Sequence, residues 1–326
     1  MASAIGLEIS SLCVRIARVS SSKGGMDLEL LAEEPLQPGA VVGGEVREPQ
    51  AVTAAVGALW ARAGVKNKRV VLGLAGSGVA VRNTSIGWTP ANEIQTTLAF
   101  QVGDILPFDV EDAVLDFVPT AELSDQNGDR QYRGLLVGAR LVFVEGAVDA
   151  VQAAGLTVVA VDLTALAVLR AAVGGAPGGP TPPVAVVNIC SNMTQVVVEV
   201  GGRPELVRGL SVGSEAAVVE YGRLDPSSPT VIPDALAPLV DEVVTTLEYF
   251  KASNPGKGLG RVVLCGEGST LPGLDQAVWN SMQVPVVRDL TWLRLPRAGL
   301  GIPDQRVFSL APAMTAAVGL ALGALS

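Results

Sequence analysis

The chain has 326 residues, 49% hydrophobic and only 4% aromatic, with a formal net charge of -9, so it can bury more than one core built chiefly from Val, Leu and Ala. That acidic balance repels phosphate backbones, and no basic stripe interleaved with aromatics relieves it, which argues against a nucleic-acid partner. With no histidine, Ser-His-Asp, Cys-His and zinc-histidine chemistry are excluded together.

Residues 4–9, 13–20 and 26–34 read as three successive strands joined by Ser/Gly turns. Pro49 opens a helix on which Val52, Val56, Leu59, Trp60 and Ala63 recur at helical spacing, and residues 69–74 return as an apolar strand buried on both faces. Thr89-Pro90 is the N-cap and first-turn pair expected to start a helix running to about residue 104. A strand follows the acidic run after Pro107, and the turn 125–129 joins it to another at 132–140. Helix 142–154, strand 157–162 and helix 164–173 then resume α/β order.

The stretch 174–183, rich in Gly and Pro, is a linker. After it the three-strand meander recurs from Val184 to Leu210, followed by a Pro/Ser-rich loop at 225–233, a helix over about 234–251, and a strand, Gly-containing turn and helix start from Arg261. A meander occurring twice predicts two similar α/β halves facing each other across a cleft. The expected boundaries are 1–82 with 145–180 for the first lobe, 83–144 for an inserted α+β subdomain, 184–215 with 261–326 for the second lobe, and 216–260 for a reduced fourth piece. Residues 311–325 read as a buried helix, because Pro312 and two glycines interrupt a run too short for a membrane span. The N-terminus Met1-Ala-Ser-Ala has no signal-peptide pattern. Cys13, Cys190 and Cys265 are widely spaced and form no CxxC pair, which fits a reduced, cytoplasmic setting. Lying beside turns that converge on the cleft, they could approach one another and take a soft metal, or be small buried hydrophobes.

The order of turn, inserted subdomain, second turn and Gly-rich third turn resembles the actin-like (ribonuclease H-like) fold, α/β and two-lobed. Within it the chain resembles the type IV pilus assembly protein PilM family, related to FtsA. The residues that carry this are Ile105-Leu106-Pro107-Phe108, the acidic run after them, Val114-Leu115-Asp116-Phe117, Val161-Asp162 and the late Ala317-Val-Gly-Leu-Ala-Leu. The resemblance implies a cytoplasmic adaptor that reaches the inner membrane only through partners. It would bind the N-terminal tail of a PilN-like membrane protein in a groove between the first core and the inserted subdomain, and couple it to the pilus motor ATPase. By the same resemblance Leu98, Gln101, Ile105, Pro107 and Phe108 are the expected partner contacts, with an extended peptide laid in the groove.

The resemblance also marks a nucleotide site, for ATP with Mg²⁺, at Glu8, Ser10 and Ser11 in the first turn, Asn188 and Thr194 around the second, and Gly266, Glu267 and Gly268 in the third. Here the chain departs from its relatives. The first turn keeps an acid at Glu8 but lacks the glycine. In the second, Asn188 and Cys190 replace acid and glycine, which removes the carboxylate charge that magnesium favours and restricts backbone approach to a phosphate. Glu267 adds negative charge to the third. A pseudo-ATPase scaffold is therefore the expected reading, with an active actin-like ATPase or sugar-kinase-type enzyme as its alternative, since turn N–H groups can cradle phosphate without the acid.

Overall fold

The computed structural model describes residues 2–103, 105–125, 127–174, 182–221, 234–288, 290–297 and 299–325. Residues 175–181 of the Gly/Pro-rich linker expected at 174–183, and the Pro/Ser-rich loop expected at 225–233, fall outside them.

The first lobe begins with the expected meander, β1 (Ala2–Ile9), β2 (Cys13–Ser22) and β3 (Gly25–Pro35). A short β4–β5 ribbon (Val41–Val42, Glu45–Val46) leads to helix α1 (Pro49–Ala63), which starts at a proline and stops where Gly64 turns left-handed. Val52, Ala55, Val56, Leu59 and Trp60 form its buried stripe. Strand β6 (Arg69–Leu74) follows. The chain then leaves the lobe through β7 (Val79–Gly87), α2 (Ile94–Val102), β8 (Ala113–Ser124) and β9 (Arg130–Arg140), and returns as α3 (Leu141–Ala153), β10 (Thr157–Leu163) and α4 (Thr164–Val173). Helix α2 starts later than its sequence suggests. Thr89-Pro90 forms a separate turn, in which the Glu93 N–H donates to the Pro90 carbonyl, and the helix begins only after it.

The second lobe contains β11 (Val184–Ile189), β12 (Thr194–Val200), β13 (Arg203–Leu210), α5 (Glu215–Tyr221), α6 (Ala237–Ser253), β14 (Arg261–Cys265), α7 (Leu274–Met282), β15 (Val286–Val287) and α8 (Asp304–Gly323). The two five-stranded sheets have the same plan. In the first the order is β10-β6-β1-β2-β3 and in the second β15-β14-β11-β12-β13. In each, the first two strands of the meander pair antiparallel while its first strand pairs parallel with the next strand across. The repeat reaches single bonds: the Ser10 N–H donates to the Cys13 carbonyl and the Cys190 N–H to the Met193 carbonyl, both at 2.9 Å.

Helices α4 and α8 fill the space between the sheets, with Val19 and Leu28 on one side and Val186 and Val263 on the other. Two glycines permit that closeness. A Cβ at Gly6 would strike the Ala317 backbone of α8, and one at Gly319 would strike the Ala167 backbone of α4. Helix α8 is long and apolar enough to cross a membrane by length and composition, yet its Val307, Ala311, Met314, Ala316, Ala317, Val318 and Ala321 form this shared core. The outer faces are covered by α1 and α3 on the first sheet and by α6 and α7 on the second.

The inserted subdomain is an antiparallel sheet in the order β7-β9-β8 with α2 packed on it. Its β7 pairs with β9 from Val79 onward. It also touches the far lobe: Arg133 pairs with Glu205 at 3.5 Å, and Asn83 donates to the Glu205 carbonyl.

Candidate functional site

The three turns converge on a buried polar cluster. Just below each hairpin turn the cross-strand position holds a polar pair, Glu8 opposite Arg15 in the first lobe and Asn188 opposite Gln195 in the second. The second pair is neutral, with Asn188 Nδ2 donating to Gln195 Oε1 at 3.0 Å. The first is charged, and Arg15, 4% exposed, faces three carboxylates: Glu8 at 3.6 Å, Glu33 at 3.4 Å and Glu267 at 2.6 Å. The Glu267 contact crosses the cleft. Its other oxygen, Oε1, accepts the Ser191 N–H of the second hairpin turn at 3.0 Å.

Burial pushes the Glu8 carboxyl up to about 7 against the attraction of Arg15, and the Glu267 charge adds to the rise. Burial works against the Arg15 charge, but Glu8 and Glu267 more than offset it and hold the guanidinium protonated. Glu8 Oε2 is buried without a hydrogen-bond partner.

The other turn residues are largely occupied by local structure. Ser10 Oγ donates to the Cys13 carbonyl and accepts from the Cys13 N–H, capping its own hairpin. Ser11 Oγ is buried without a partner. Thr194, fully buried, donates its hydroxyl to the Val212 carbonyl at 2.8 Å. Gly266 has φ 83° and its N–H donates to Pro312 of α8, while Gly268 packs against Ile189 and Ser214. Cys190 and Cys265 flank Asn188, at 3.6 Å from its Nδ2 and 3.8 Å from its Oδ1. Among the described residues no three acidic, thiol or imidazole groups assemble as a metal site, so the three cysteines do not converge as one.

Two hollows border the inserted subdomain. The larger, about 410 Å³, lies between it and both lobes and is lined by Leu74, Pro107, Leu163, Met193, Arg82 and Arg208 among others. The second, about 260 Å³, is a trough between the first lobe and the inserted sheet. Val114, Leu115 and Val118 of β8 line one wall and Val161, Leu163 and Leu166 the other. Strands β8 and β10 are edge strands of their sheets. A further hollow of about 260 Å³ continues past Val118 and Leu166 to Arg170 and Pro204.

The residues expected to contact a partner are thereby sorted. Pro107 lines the larger hollow. Leu98, 1% exposed, belongs to the subdomain's own core and is unavailable to a partner, because its face of α2 packs onto the sheet. Ile105 and Phe108 pack against that core half-buried, and Gln101 accepts the Gly87 N–H at 2.7 Å. From the segment 94–108, Gln95 is the residue that reaches the trough. The wall residues Val114, Leu115 and Val161 stand out in the sequence only as carriers of the family resemblance, not as partner contacts; Arg15 was not singled out, although an arginine inside the apolar run Cys-Val-Arg-Ile-Ala is an anomaly that marks it.

A family model described as type IV pilus assembly protein PilM matches residues 6–215. The chain belongs to the type IV pilus assembly protein PilM family. A solved structure described as the PilM-PilN type IV pilus biogenesis complex superposes with a TM-score of 0.84 at 26% identity, covering 99% of this chain and 98% of that one. The cytoplasmic domain of EpsL, an inner-membrane component of the type II secretion system of Vibrio cholerae, shares the fold at 13% identity and TM-score 0.51, covering 99% and 95%. MreB5 of Spiroplasma citri, solved with ADP, shares it at 10% identity and TM-score 0.51, covering 96% and 94%. The fold of this PilM-family chain is thus the actin-like one expected from its sequence.

Proposed function

We propose that this PilM-family chain is a cytoplasmic adaptor of type IV pilus or related secretion machinery, which holds the N-terminal tail of a PilN-like inner-membrane protein in the trough between β8 and β10. The observation that carries the reading is the trough: two edge strands and largely apolar walls, with Asp116, Asp162 and Gln95 also lining it, suit an extended peptide whose backbone pairs with an edge while alternate side chains enter pockets. The likeness to a PilM-PilN complex along almost the whole chain supports the same occupant. On this reading the protein is peripheral to the inner membrane through that tail, and contact with a pilus motor ATPase would couple platform to motor.

The nucleotide site is degenerate in the same proposal. Asn188 supplies no charge for magnesium, the second-turn N–H of Ser191 already has a carboxylate acceptor, and Arg15 crowds the space between the turns. The scaffold reading is tested by fluorescence anisotropy with a labelled tail peptide of the co-encoded membrane protein. Val161→Asp, at a position 40% exposed on the trough wall, should weaken binding about tenfold or more by placing a charge in an apolar pocket. Tyr249→Asp, on an exposed site of the second lobe, should leave it unchanged. Absence of tail binding by the wild type refutes the adaptor, and micromolar binding of Mg-ATP with turnover in calorimetry refutes the degenerate site.

A further inference from the structure

We infer that Glu267 is a built-in substitute for a nucleotide phosphate: its carboxylate fills an anion site formed by the Ser191 N–H and the Arg15 guanidinium, and so latches the lobes together. The inference rests on the degenerate-site reading above and says what took the nucleotide's place.

The donors are those that recognise a phosphate oxygen. One is a main-chain N–H at a tight turn and the other a buried guanidinium, which together favour an oxyanion. They come from different lobes, Ser191 from the second hairpin and Arg15 from strand β2, and the anion that bridges them is carried by the third turn at a separation of 252 residues from Arg15. A bound phosphate would have to displace Glu267 from both donors and then lie beside Glu8 and Glu33, which also face Arg15. The site is complete without a ligand. Lobe closure in this chain then needs no nucleotide, in contrast to a fold that closes when a phosphate bridges its turns.

The geometry makes Glu267→Ala a gain-of-binding variant. Amide hydrogen exchange should show Ser191 exchanging at least about tenfold faster in the variant, because its acceptor is gone. Inorganic phosphate should then raise the melting temperature of the variant by several degrees beyond sodium chloride of equal ionic strength, and leave the wild type unmoved. Glu267→Gln preserves side-chain volume and removes the charge, but its amide oxygen still accepts the Ser191 N–H, so if the alanine variant does not fold the phosphate shift of this variant is the readout. A Ser191 amide that exchanges at the wild-type rate in Glu267→Ala, or the absence of a phosphate effect in the variant that folds, overturns the latch. The wild type assayed with Mg-ATP separates the two ideas: binding there overturns the degenerate site, whereas no binding there, together with unchanged Ser191 exchange and no phosphate effect in the variants, leaves that reading standing and removes the latch alone.

Discussion

Glu8→Gln isolates the electrostatic cost of the cleft. Glu8 lies 5% exposed on β1, and burial, opposed by Arg15 and reinforced by Glu267, lifts its carboxyl from an ordinary 4.5 to about 7. Between those pH values the native protein holds a proton that the unfolded chain has released. Native protein therefore binds more protons, and its stability falls as the pH rises through the window. At about 1.4 kcal/mol for each pH unit, the wild type loses about 3 kcal/mol from this group between pH 5 and pH 8. Glutamine is nearly isosteric and does not titrate, so the variant lacks that slope. Urea unfolding at both pH values should find the variant gaining about 3 kcal/mol on the wild type at pH 8 relative to pH 5, with every other titrating group cancelling in the difference. A wild-type-to-variant difference that is the same at both pH values, or that shrinks toward pH 8, refutes the argument that Glu8 is buried at a net electrostatic cost.

Gly319→Ala drives a methyl into the Ala167 backbone where α8 crosses α4; the clash is with main chain, so a loss of about 1–3 kcal/mol or more is expected, read as a lowered urea midpoint. Burial pushes the Cys190 and Cys265 thiols upward, and Cys13 too, so native protein at pH 8 should react slowly with a thiol reagent, half-buried Cys13 first, while denatured protein titrates all three at once. Fast modification of Cys265 in native protein would show that the second sheet opens.

The fold was largely legible because its signals are local. Alternation and turn residues place the two meanders, and their recurrence gives the two lobes without any knowledge of contacts. That Asn188 stands where an acid is expected came from the family resemblance; the shared register adds that Asn188 sits opposite Gln195 as Glu8 sits opposite Arg15. What was hidden depends on contacts distant in sequence. Arg15 reads as one charge in an apolar strand, and its partner Glu267 lies in another lobe. The proposed peptide trough is walled by β8 and β10, two strands that are edges only after the sheets have assembled. Leu98 was expected at the partner groove from the family resemblance alone, which does not say which side of the segment 98–108 packs on the subdomain's own sheet; here Leu98 does. Thr89-Pro90 misled because the pair also suits a turn, and here the Pro90 carbonyl closes one before the helix starts.

The cleft and the trough share walls, so the latch bears on partner binding. Leu74 and Leu163 line both the interlobe hollow and the trough, and α4, which carries Leu166 on the trough wall, is packed between the two sheets. Movement of one lobe against the other would shift α4 and alter the trough. A carboxylate fixed in the chain keeps that spacing constant whatever the nucleotide level, and a groove held in its bound shape loses less entropy when a flexible tail enters. Glu267→Ala should therefore weaken tail affinity by several-fold although Glu267 does not line the trough, and inorganic phosphate should restore part of the loss by re-bridging Ser191 and Arg15. Tail affinity in the variant equal to that of the wild type, with Ser191 exchange accelerated as expected, would show that the lobes keep their spacing without the latch and that the trough is set by α4 packing alone.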